Sequence, residues 1–258
     1  GGGYQISSWA EKTSYEAAAA IIAVSDGMRA DVLAAYPSVD PKKVVTIRNG
    51  VDTSKFAPNN NQAVLQEFGI TGRYAMFVGR ITRQKGLAHL LRAWKSVPAE
   101  YGLVLAAGSP DEETVGNEVA ALIAELQATR SNVWWIKEML PHDKLTAALT
   151  QADLFLCPSI YEPLGIVNLE AMGCETAVLG SRVGGIPEVV ADKETGELVN
   201  YFGEAAPFEK ALAESITRLM SQPELLKKYG VAGRLRAQKL FGWDAVAALT
   251  VDLYRKVI

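Results

Sequence analysis

Tyr74-Ala-Met-Phe-Val-Gly79-Arg80-Ile-Thr-Arg-Gln-Lys85-Gly86-Leu87-Ala-His-Leu90-Leu91-Arg-Ala-Trp94 is the stretch on which the fold turns. Residues 74–78 form an apolar run without a polar break, the pattern of a strand buried on both faces. A glycine and a short polar turn follow. Leu87, Leu90, Leu91 and Trp94 then recur at i, i+3, i+4 and i+7, which puts one apolar stripe on a helix. Strand, turn and one-sided helix make the repeating half of a parallel sheet covered by helices.

The same alternation extends in both directions. Strands are expected at 20–24, 44–47, 74–78, 103–107, 132–136, 153–157 and 176–180, and Val115, Val119, Leu122 and Leu126 mark a second crossover helix. The turn formers from Asn49-Gly50-Val51-Asp52 to Asn59-Asn60-Asn61 set a boundary. They separate a short leading βα piece, 1–50, from a main Rossmann-like unit, 51–240. After residue 205 helices take over, and Trp243, Val246, Leu249, Leu253 and Val257 give a last helix, 241–258, an apolar face that needs cover. The expected fold class is therefore α/β, a Rossmann-like parallel sheet with helices on both faces, beside a truncated second Rossmann-like domain.

Composition bounds the function. The 258 residues are 49% hydrophobic and 21% charged, the balance of a soluble globular protein. A net charge of -3 and a pI near 5.6 give no general attraction to phosphate backbones or anionic lipid, so nucleic acid is not an expected partner. The run Ala17–Val24 is far shorter than the roughly 20 apolar residues a bilayer requires. An opening of Gly1-Gly2-Gly3-Tyr4 reads as the middle of a domain. Cys157 and Cys174 sit in apolar segments without metal-site or redox spacing, which fits reduced, buried thiols and a cytoplasmic location.

Ligands of open α/β sheets bind at the carboxyl ends of the strands. Two such places carry chemistry. In the first, Gly79, Arg80 and Lys85 lie between strand and helix. Arginine offers phosphate a planar fork and lysine a mobile point charge, so the pair can neutralise a departing diphosphate; two cations there also read as a plain solvated loop. The glycines are in the wrong order for a P-loop, and no G-x-G-x-x-G occurs. In the second, Glu162-Pro-Leu-Gly165-Ile166-Val167-Asn-Leu-Glu170 has seven residues between its glutamates. Gly165 allows close backbone approach, and the free amides of Ile166 and Val167 open a helix whose positive end suits phosphate. Glu162 and Glu170 then accept hydroxyl bonds at two heights of one crevice, or are merely a loop and a surface residue. His89 and His142 read as surface or cap residues.

Taken together, Val78-Gly-Arg-x4-Lys-Gly86, the two-glutamate segment and Val183-Gly-Gly-Ile-Pro-Glu188 resemble the retaining glycosyltransferases of the GT-B fold, the glycosyl transferases group 1 family. The likeness runs from about Ser8 to the C-terminus. Trp9–Asn49, Arg48-Asn-Gly-Val-Asp52 and Cys174-Glu-Thr-Ala-Val178 are similar to the actinobacterial type of ADP-glucose-dependent glycogen synthases. The resemblance implies that Arg80 and Lys85 hold the donor diphosphate, Glu162 the hydroxyls of the transferred sugar, Gly165, Ile166 and Val167 sugar and phosphate through their backbone, and Glu170 the ribose. Adenine falls near Lys137–Leu140, including Met139 and Leu140. Arg80, Lys85 and Glu162 are the candidate catalytic residues, without a protein nucleophile, cofactor or metal. The implied reaction moves glucose from ADP-glucose to an α-1,4-glucan or to glucose 1-phosphate. Other donors, a homodimer, and a donor-binding module without turnover stay open. Gly184–Glu188 reads as a helix start or as a further ligand contact.

Overall fold

The computed structural model describes residues 2–257. Its first part is small: α1 (Gly2–Ala17), β1 (Ile21–Ala23), α2 (Asp26–Ala35) and β2 (Val44–Thr46), the two strands pairing in parallel. Ile21, Ala23, Val32, Val39 and Val44 form a separate apolar cluster beneath them. Ser25 caps α2, its hydroxyl accepting from Met28 N at 2.9 Å.

The main unit begins with α3 (Ala63–Glu67) and proceeds through β3 (Tyr74–Ile81), α4 (Leu87–Trp94), β4 (Gly102–Pro110), α5 (Glu113–Gln127) and β5 (Val133–Ile136). It continues with α6 (His142–Gln151), β6 (Leu154–Cys157), α7 (Ile166–Gly173), β7 (Ala177–Ser181), α8 (Ile186–Val189) and β8 (Gly196–Val199). The six strands are parallel in the order β5-β4-β3-β6-β7-β8. Chain order reverses between β3 and β6, the switch point at which such sheets open a crevice.

Both faces of the sheet are covered, because successive strand residues point to opposite sides. Ala75 and Phe77 join Leu87, Leu90, Leu91 and Trp94 on one face, while Tyr74 and Met76 join Leu169, Ala171 and Met172 on the other. Trp94 and the three leucines are 0–1% exposed. Burying a side chain of this size contributes about 1.5–3 kcal/mol, so α4 is held mainly by its apolar stripe. The stripe on α5 is Val115, Val119, Ile123 and Leu126; Ile123 replaces the expected Leu122, which is only partly buried.

Three helices close the chain: α9 (Ala205–Met220), α10 (Pro223–Phe241) and α11 (Trp243–Val257). The chain passes the same point twice, since Val51 N donates to Phe241 O at 2.8 Å and the Trp243 ring covers Gly50. On α11 only Leu253 is buried, and Trp243 and Leu249 are exposed. Among the described residues no helix is long and apolar enough to cross a membrane.

Every strand expected from the sequence forms, with two corrections. Strand β3 does not stop at Gly79 but continues through Arg80 to Ile81, because β4, nine residues to its eight, keeps pairing with it as far as Pro110. The edge strand β8 was not anticipated: Gly196-Glu-Leu-Val199 is short and half-exposed.

Candidate active site

The two sequence motifs meet at the switch point. Lys85 ends a 3-10 turn, Arg83–Lys85, which Thr82 caps by accepting from Lys85 N at 3.3 Å. Ile160 N donates to Gln84 O at 2.8 Å, tying the loop after β3 to the loop after β6. Gly86 sits at this contact with φ of 66°, and a Cβ there would lie 1.9 Å from Pro158 O. Only glycine allows both the left-handed backbone and the close approach.

Across the crevice Lys85 Nζ donates to Glu162 Oε2 at 2.6 Å. Glu162 is 7% exposed, and Ser159 Oγ donates to the same oxygen at 3.2 Å. The aliphatic stem of Lys85 passes over Gly79, 3.9 Å from where its Cβ would stand. The backbone of Glu162 is held from below: Gly185 N donates to Glu162 O at 3.0 Å, and Gly184, at φ of 50°, packs directly on that carbonyl. Gly184–Gly185 is thus the turn that carries Glu162.

Gly165, at φ of 90°, starts α7 without a side-chain cap, and the first amides of any helix, here Ile166 and Val167, have no partner inside it. Beneath Gly165 lies the fully buried Asn168, whose amide meets nothing better than the weak Cys157 thiol. Burial pushes both thiols up, Cys174 to about 12, so neither serves as a nucleophile.

Glu170 is half-buried one turn into α7. Its carboxylate makes no hydrogen bond or ion pair among the described residues, and desolvation raises its pKa. Because the folded pKa lies above the unfolded one, ionised Glu170 destabilises the fold at neutral pH, and the penalty disappears below the ordinary carboxylate range. Glu170→Gln therefore raises the melting temperature at pH 7 by an amount that shrinks toward pH 4. Thermal scans against pH check this; lower stability at pH 7 would refute it.

Arg80 is 70% exposed in its side chain and is engaged by Asp111, Nη1 standing 2.8 and 3.0 Å from the two carboxylate oxygens. Gly79, Arg80, Asp111, exposed Met139 and buried Leu140 line one cleft of about 590 Å³ with Val78, Ala106 and Leu145 at its floor. The expected diphosphate cation and the expected adenine loop thus share a wall. A larger groove of about 920 Å³ between α4 and α9 borders the amino end of β4 and holds none of these residues.

Several partners were not foreseen: Ser159, Asp111, and the brace formed by the small unit. Ser25 Oγ donates to Pro163 O at 2.5 Å; Gly27 N and Arg48 Nε donate to Glu188 at 3.1 and 2.8 Å. Glu188 is therefore an anchor between the two parts of the chain. His89 is not a surface residue; it meets Glu209 at 2.7 Å between α4 and α9.

Fold and site together define a glycosyltransferase with the carboxyl-terminal half of a GT-B architecture. Residues 64–236 match the family model for glycosyl transferases group 1, and residues 2–55 that for glycosyltransferase family 4. The chain is 49% identical over 263 aligned residues to the alpha-maltose-1-phosphate synthase of Mycolicibacterium smegmatis, covering 100% of itself and 68% of that protein. Sucrose-phosphate synthase from Thermosynechococcus elongatus superposes with a TM-score of 0.83 at 28% identity, over 98% of this chain and 62% of that one. Anabaena HepE, solved in complex with UDP-glucose, gives 0.85 at 19% identity over 98% and 68%. The chain belongs to the glycosyl transferases group 1 family, and spans about two thirds of the length of these relatives.

Proposed function

We propose that this chain is the donor-binding part of an enzyme that transfers glucose from ADP-glucose to glucose 1-phosphate, giving maltose 1-phosphate with retained anomeric configuration. The observation that carries the reading is the union of Lys85 and Glu162 at the switch point, next to Gly79 of the cleft that Arg80 lines, in a chain 49% identical along its whole length to an alpha-maltose-1-phosphate synthase. In this reading Arg80 and Lys85 take the charge that develops on the leaving diphosphate, the chain's own cations doing this without a metal. Glu162 accepts from the sugar hydroxyls, the amides of Ile166 and Val167 face phosphate, Glu170 accepts from the ribose, and Met139 and Leu140 border adenine. The glucosyl C1–O bond to the diphosphate breaks, the bond to the acceptor oxygen forms on the same face, and the acceptor proton passes to the departing phosphate oxygen. No side chain becomes bonded to the sugar.

The same reading makes 1–50 the end of an acceptor-side domain, 51–240 the nucleotide-sugar domain, and 241–258 a helix that packs back toward the acceptor side. Catalysis then needs both walls of the cleft, so this chain alone binds donor without turning it over. Calorimetric titration with ADP, ADP-glucose, UDP and UDP-glucose tests the donor: adenine nucleotides bind at least about tenfold tighter. A uridine preference overturns the donor assignment. Supplying glucose 1-phosphate or an α-1,4-glucan to the full-length enzyme decides the acceptor, and transfer to glucan alone overturns maltose 1-phosphate as product.

A further inference from the structure

The two cations of the site are held very differently. Lys85 is paired with a buried carboxylate that Ser159 also grips, whereas Arg80 is paired with an exposed one. The second pairing is nevertheless built into the backbone. Gly79 pairs with Ala107 and Ile81 with Pro110, so β4 carries one residue more than β3 over this stretch, a bulge of the kind that re-aims side chains. Asp111 N then donates to Ile81 O at 3.3 Å, which fixes Asp111 beside the residue that follows Gly79. The register of the two strands thus sets a carboxylate against Arg80, at the wall of the open cleft.

An exposed ion pair is weak and exchanges readily, while a diphosphate offers more charge and more acceptor oxygens than a carboxylate. We propose that Asp111 is a positioning residue that competes with the nucleoside diphosphate for Arg80. Resting on the donor-site reading above, this makes Asp111 a built-in limit on nucleotide affinity: Arg80 leaves it to grip the diphosphate and returns to it as the product departs. Single anions without a second hold on Lys85 do not displace it.

The test is calorimetry of ADP with the wild-type chain, Asp111→Asn, Arg80→Ala and the double variant, each checked for folding by circular dichroism. Asp111→Asn binds ADP roughly three- to tenfold tighter than wild type, from loss of a surface-strength competitor and of its repulsion. In the Arg80→Ala background the same substitution produces no gain, because the competition has no object. Equal or weaker ADP binding by Asp111→Asn, or a gain that persists without Arg80, overturns the proposal alone. A folded wild-type chain that does not bind ADP at all overturns the donor-site reading and this proposal with it.

Discussion

Replacing Arg80 and Lys85 together with alanine weakens binding of ADP and ADP-glucose by roughly a hundredfold to ten-thousandfold. The range follows from two charge-assisted contacts of about 1.5–3 kcal/mol each. Calorimetry measures it, and if both cations act on the leaving group as proposed, kcat/KM of the full-length enzyme falls by a similar factor. The two substitutions differ in their effect on the fold. Arg80 is exposed, and Arg80→Ala changes stability by no more than about 0.5 kcal/mol. Lys85→Ala strands Glu162, 7% exposed and left, among the described residues, with the Ser159 hydroxyl, and costs about 1–3 kcal/mol. Binding loss in Arg80→Ala is therefore the cleaner arm. Retention of ADP affinity within about threefold in the double variant would remove the diphosphate from this site.

Gly86→Ala produces a large loss of stability. A methyl group at this position would meet Pro158 O at 1.9 Å, backbone against backbone, so neither side can yield by turning a rotamer. Destabilisation of more than about 3 kcal/mol follows, lowering the melting temperature by about 6–12 °C in a chain of this size. The clash, not the backbone angle, is responsible. Glu175 and Lys193 both hold φ of 63° with full side chains, and Gly72, at φ of 73°, has nothing near its missing Cβ. Gly72→Ala accordingly costs only about 1 kcal/mol. Similar melting temperatures for the two variants would contradict the packing of the loop after β3 on the loop after β6.

Much of this architecture was legible because the strands are uninterrupted apolar runs and the helices carry one-sided stripes. Tyr74–Val78 and Leu87–Trp94 needed no tertiary knowledge. The edge strand β8 lacked such a run, since an edge buries less of itself. Lys85 and Glu162 were recognisable as residues after strands, but their contact depends on β3 and β6 being neighbours, a fact of strand order that no local pattern contains. Asp111 obeyed the same positional rule, just beyond the end of β4, and looking there for a carboxylate would have found it. Its pairing with Arg80 depends on an extra residue in β4, and Glu188's role on a separate unit reaching across from Arg48; neither leaves a periodic trace.

The ladder between β3 and β6 is short, joining only Ala75 to Leu154 and Met76 to Phe155. Its partners stand far apart along the chain, whereas β3 finds β4, and β6 finds β7, across single crossovers. Each half of the sheet can therefore assemble from near neighbours, while joining the halves must first close a long loop. The crevice between Lys85 and Glu162 belongs to neither half. It exists only once the two have joined, so damage to this seam, as by Gly86→Ala, takes away ligand binding before it takes away helix and strand.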